Sequence, residues 1–152
     1  VPGFSEWLGD PDDPEDFSVT RAAVATDAIT NGTFTLTATG LTTGVTGTAE
    51  WTMIKTPGGT GALVVMNVPQ LSGTSNSTSF GASGIPTFLR PAVGQAVAAS
   101  SFFITTGSVV TTGTIQVNTA GTLTFYLGTN ASGWTASGTK ANANMVILYF
   151  LS

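Results

Sequence analysis

Few side chains in this sequence could do chemistry, and their spacing narrows the options further. There is no histidine and no cysteine. That removes a histidine general base, a Ser-His-Asp triad, imidazole and thiolate metal ligands, disulfides and a cysteine nucleophile. A glycosidase-type carboxylate pair needs two acids flanking one bond, but beyond residue 27 the only acid is Glu50, with Asp27 at the border. Glu50 stands beside Trp51 in an alternating stretch that turns it to solvent. Lys55 and Lys140 could become nucleophiles only if burial lowered their basicity. Nothing near either supplies that environment, so both are expected to be solvated or ion-paired. The expectation is a protein without enzymatic activity, cofactor or metal.

Other motifs have plainer readings. The acidic run Asp10-Pro-Asp-Asp-Pro-Glu-Asp16 could offer carboxylate oxygens to a hard cation. It lacks EF-hand spacing, the central Gly and the closing Glu, and reads better as a solvated linker. Gly58-Gly-Thr-Gly61 resembles a phosphate loop only loosely and fits a hairpin turn. Asn31-Gly-Thr, Asn76-Ser-Thr and Asn130-Ala-Ser match the glycosylation acceptor pattern, which recurs by chance in a Thr/Ser-rich chain. Trp134, in a Ser/Gly/Asn-rich loop, either stacks on a sugar face as a glycan platform or plugs the end of the fold.

The scarcity of chemistry follows from how charge is distributed. Eight of the 12 charged residues lie in the first 27 positions, giving −6 there and +2 in the remaining 125, where only Glu50, Lys55, Arg90 and Lys140 are charged. Soluble domains usually carry about a quarter charged residues. No basic patch exists for a nucleic acid, and no apolar run reaches the roughly 18 residues of a membrane-spanning helix. The start, Val1-Pro-Gly-Phe4, has neither initiator Met nor signal-peptide character, so the chain is trimmed or part of something longer.

The elements that must position these residues are strands. At 152 residues, 41% hydrophobic and with 19 Gly, the chain suits one domain of short strands and tight turns. Residues 1–30 read as an arm and 31–152 as the body. In the arm, Phe4, Trp7 and Leu8 fall at i, i+3, i+4, one helical turn at most. They either fold back on their own subunit or dock into a neighbouring protein, the second being favoured. The seven-residue acidic linker can span roughly 20 Å. Residues 17–30 fit a short helix or a segment lying along the body.

From Asn31 onward the pattern is β. Thr33–Thr39 alternates, with Phe34, Leu36 and Ala38 on one face. Ala49–Lys55 puts Trp51 and Met53 opposite Glu50 and Thr52. Ala62–Val68 is nearly all apolar, as in a strand covered on both faces. Leu71–Phe80 reads as an edge strand plus loop, and prolines at 86 and 91 bracket a non-strand excursion. Gln95–Ile104, Val109–Val117, Thr122–Leu127 and Met145–Leu151 complete an all-β, antiparallel jelly-roll sandwich of about eight strands with a short irregular N-terminal arm.

The last run, apolar throughout, must be central in its sheet or face other subunits. Its alternate residues Val146, Leu148 and Phe150 are the expected oligomer core, and a symmetric oligomer follows from a body so poor in charge.

Gly47–Lys55, Ala62–Pro69, Leu71–Phe80 and Gly84–Ala92, with Ala120–Phe125, Thr135–Lys140 and the terminal apolar strand, resemble the head domains of bacteriophage fibres and virion-surface proteins. The resemblance covers residues 40–152 and implies a trimeric jelly roll of the complement/tumour-necrosis-factor type, with the last strand near the trimer axis. It further implies a virion-surface location, capsid or tail proteins as partners and no enzymatic role. The expected function is a capsid-decorating knob or short-fibre head held by its arm; the alternative is a tail-fibre receptor-binding tip recognising a host surface glycan. Fibres carry a long repetitive shaft, whereas only about 30 residues precede the first clear strand here, which favours a short knob clipped directly to the particle.

Overall fold

Thr and apolar residues alternate along the first strand, so one side faces water and the other a core. In a computed structural model, which describes residues 28–56, 61–105, 109–127 and 134–152, this strand, β1 (Ile29–Thr39), points Leu36 and Ala38 inward and Thr33, Thr35, Thr37 and Thr39 outward. It is followed by β2 (Thr46–Lys55), β3 (Ala62–Val68), β4 (Ser72–Thr74), β5 (Phe80–Ser83), a 3-10 turn at Thr87–Leu89, β6 (Gln95–Thr105), β7 (Val109–Val117), β8 (Thr122–Leu127), β9 (Thr139–Asn142) and β10 (Met145–Leu151). The fold is all-β, as expected. Ten strands are present among the described residues instead of about eight, because the three- and four-residue strands β4, β5 and β9 are too short to show a period. The arm, including Phe4, Trp7, Leu8 and the acidic linker, lies outside the described residues.

All strand pairs are antiparallel, in the order β10-β3-β2-β1-β5-β8-β7-β6-β9-β4. The sheet curls so that its halves enclose one core. Leu36, Ala49, Val64, Met66, Ile147 and Tyr149 come from one half, and Phe80, Ile115, Val117, Leu123 and Phe125 from the other. Two contacts hold each end of the sheet order against the opposite half. Leu41 forms a bridge with Ser75. Gln95, at the start of β6, gives its side-chain amide N–H to the carbonyl of Phe150 and accepts the Phe150 N–H at 3.0 Å.

The turns carry the expected chemistry. Between β7 and β8, Gly121 N–H donates to Asn118 O at 3.0 Å, and Gly121 has φ +81°. A Cβ there would lie 2.4 Å from Arg90 Nε, so only glycine fits. Asn142, fully buried, receives Leu71 N–H on its Oδ1 and donates through Nδ2 to the carbonyls of Pro69 and Ala143. It thereby ties the end of β9 to the crossing after β3 and satisfies every polar atom it buries.

The 3-10 turn is fixed to β10 by Tyr149, whose buried hydroxyl donates to Leu89 O at 2.8 Å. Tyr149→Phe leaves that carbonyl without its donor while keeping the ring. It should lower unfolding free energy by about 1–2 kcal/mol, measured by chemical denaturation, without altering the strand signature in circular dichroism.

Candidate functional site: the outer face of the four-stranded half

Both of the apolar strands singled out by sequence are here, and neither is covered on both faces. β3 lies between β2 and β10, and β10 ends the sheet order with β3 as its hydrogen-bonded neighbour. Of the two placements expected for β10, central in its sheet or facing other subunits, the first does not hold. Its inward residues Ile147 and Tyr149 are buried, while Val146, Leu148 and Phe150 point out and are 56%, 52% and 63% exposed. The two-residue period of a strand forces this split whatever the residues are, so a run apolar at every position carries one apolar face more than the core uses.

The register extends that face over four strands. Ile29 is opposite Ile54, Ile54 opposite Leu63, and Leu63 opposite Phe150. The next row outward is Asn31, Thr52, Val65 and Leu148; the third is Thr33, Glu50, Asn67 and Val146. Cross-strand neighbours of this kind sit about 4.5–5.5 Å apart. One end of the face is thus continuously apolar and the other polar. Ile29 and Ile54 are exposed, and Leu63 and Val65 half-buried. At the polar end a shallow hollow of about 410 Å³ is lined by Asn31, Thr33, Glu50, Thr52, Asn67 and Val146, among others.

Sequence reading reached Val146, Leu148 and Phe150 but missed Ile29, Ile54, Leu63 and Val65. A signal existed: Ile54 has the same parity as Glu50 and Thr52, which places an isoleucine on the water side of β2. Its alignment with Ile29, Leu63 and Phe150 depends on strand order and register, which no single strand announces.

Glu50 is exposed, as expected, and is the single acidic side chain among the described residues. Trp134 is not a platform. It is 5% exposed, donates Nε1–H to Phe125 O at 2.8 Å and meets the Phe80 ring edge-to-face at 5.1 Å. The plug reading matches its placement, and the glycan reading loses the residue on which it stood. The ring pair that does reach the surface is Trp51 with Phe88, 5.4 Å apart and edge-to-face; Phe88 is exposed and Trp51 half-buried. Asn31 and Asn76 are exposed, while Asn130 lies outside the described residues.

Lys140 overturns the expectation of a solvated lysine. It is 1% exposed, packs with Nζ 5.7 Å from the Trp134 ring centre, and donates to Ser77 O and, at 2.9 Å, to Ser79 O. Two carbonyls and a ring face replace the acid that the body lacks. The site is a fastening between β9 and the segment before β5. Burial lowers its pKa below the usual 10.5.

Two outcomes follow for Lys140. Lys140→Ala, which removes the donor and opens a cavity, should cost about 2–4 kcal/mol in denaturant unfolding. In the unfolded chain the amine holds its proton more tightly than in the fold, so Lys140 makes stability rise with pH between its lowered folded value and 10.5. The difference in melting temperature between the wild type and Lys140→Met should therefore shift in favour of the wild type as pH rises from about 8 towards 10. Tyr149, raised by burial above its ordinary 10.0, acts oppositely and only above that pH, so it does not mask the trend.

No family model matches the chain, and no curated protein matches it. Among solved structures it is similar to a reovirus attachment protein, sigma1, in complex with alpha-2,3-sialyllactose, at 16% identity and a TM-score of 0.45; the match covers 80% of this chain and 66%, just under two thirds, of that one.

Proposed function

We propose that this chain is a non-enzymatic bacteriophage virion structural protein: a trimeric β knob displayed on the particle surface and held there by its N-terminal arm. The observation that carries the reading is the outer face of β1, β2, β3 and β10, built of core-type residues yet open to solvent. A surface of this kind is made to be covered by protein. A catalytic centre needs titratable groups brought together, and Glu50 stands on a sheet face beside Thr33 and Asn67 with no second carboxylate in the body sequence.

Two sequence features support the virion setting. Residues 40–152 resemble fibre-head and virion-surface domains, and the arm has the composition of a tether, with Phe4, Trp7 and Leu8 ahead of an acidic, proline-containing spacer. Capsid decoration and a short-fibre head use the same parts.

Deleting residues 1–9 should leave a folded body of unchanged oligomeric mass that no longer co-sediments with particles lacking the knob. Full co-sedimentation after the deletion would remove the anchor from Phe4, Trp7 and Leu8. Light scattering of the intact chain at micromolar concentration should give three times the 15.4 kDa chain mass; a monomer would contradict the assembly reading.

A further inference from the structure

We propose that copies of this chain pack against one another through the outer face of β1, β2, β3 and β10, with Ile29, Ile54, Leu63, Val65, Leu148 and Phe150 at the centre of the contact and Thr33, Glu50 and Asn67 at its rim. The inference rests on the oligomeric reading above and gives it a surface and an orientation.

Area comes first. The five apolar residues exposed on this face, Ile29, Ile54, Val146, Leu148 and Phe150, leave on the order of 450 Å² accessible per copy. Turned to a common three-fold axis, three such faces would bury roughly 1,350 Å² in all from these residues, about 450 Å² per pair, part of the ~1,000 Å² that a specific interface must clear. The half-buried Leu63 and Val65 and the flanking threonines add to it. A contiguous apolar patch of this size is in the range that marks a functional surface.

Chemistry selects the occupant. Twelve positions in the three rows hold one ionisable group, Glu50, and it sits in the polar row at one end. A charged partner would find nothing to pair with across the rest. A second copy presents the same uncharged, apolar rows, and the polar row then falls where water reaches it. Leaving the polar row at a wet margin of the contact agrees with the polar rim of protein interfaces.

The edge of β10 selects the mode. Successive residues of a strand send their N–H and C=O to opposite sides. At Phe150 both groups point away from β3 and are held by the Gln95 side-chain amide. Strand addition would have to displace that clamp, whereas the ring of Phe150 stands clear of it on the sheet face. Copies therefore meet through their sheet faces, turned to a common axis, and not edge to edge.

The test uses the full chain and exploits the absence of native cysteine. Leu148→Cys is compared with Thr119→Cys, an exposed site in the β7–β8 turn, by maleimide labelling alongside light scattering. At a protein concentration well above that at which the oligomer dissociates, labelling at position 148 should slow about fivefold or more relative to position 119, and recover on dilution to monomer. The pair Ile54→Asp and Leu148→Asp, both at exposed positions, should each give a monomer with unchanged circular dichroism.

Free labelling of position 148 in an oligomer would overturn the face while leaving the oligomer standing. Protection of position 148 in a chain that is monomeric throughout would show that its own arm covers the face, overturning packing between copies. A monomer labelled freely at both positions would overturn the inference and the assembly reading together.

Discussion

A β-strand has two sides, and a core can use only one. That geometric rule governs the whole of this structure. In β1 and β2 most of the outer side is given to threonine, so the rule costs nothing. In β3 and β10 the outer side is apolar as well, and no second layer lies over it among the described residues. The inner side supplies Val64, Met66, Ile147 and Tyr149 to the core; the outer side is surplus to it. The placement of β10 at the end of the sheet order makes the surplus continuous with the β1–β2 isoleucines.

The near-absence of charge has a second consequence inside the fold. With Glu50 exposed and the single acid among the described residues, the buried side chains of Lys140, Asn142, Trp134 and Tyr149 are satisfied by backbone groups, while Thr30 Oγ1 is buried without a partner. Lys140 is held by two carbonyls and a ring, Asn142 by three backbone groups, and Trp134 and Tyr149 by one carbonyl each. These bonds join segments distant in sequence and define the crossings that short strands β4, β5 and β9 cannot define by their own ladders. The cost of leaving any one of them unmade is borne in a dry interior.

How much of this could be read from the sequence depended on whether the feature was local. Strands with clear alternation or apolar runs, such as 62–68, 109–117, 122–127 and 145–151, appear where expected, because period and composition are properties of the segment itself. Lys140 runs against its expected solvated or ion-paired state, and Trp134 could be narrowed only to two alternatives, for the opposite reason. Each lies in a polar, glycine-rich neighbourhood, and each is buried by partners up to 63 residues away in sequence. The outer face lies between these cases: its residues are visible one strand at a time, but their alignment needs the order β10-β3-β2-β1.

The Gln95 clamp on Phe150 also bears on when the molecule can form during synthesis. Gln95 is made 55 residues before its partner, and β3 waits still longer for β10, since Ala62 pairs with Leu151. Until the final strand leaves the ribosome, Val64 and Met66 lack a hydrogen-bonded neighbour on that side and the two halves of the sheet cannot close. Closure is thus a late event dominated by contacts far apart along the chain, the kind that form slowly. Because β10 also supplies Val146, Leu148 and Phe150 to the outer face, a nascent chain lacks that part of the surface until β10 emerges. Sheet closure and the outer apolar face thus both depend on the seven residues of β10.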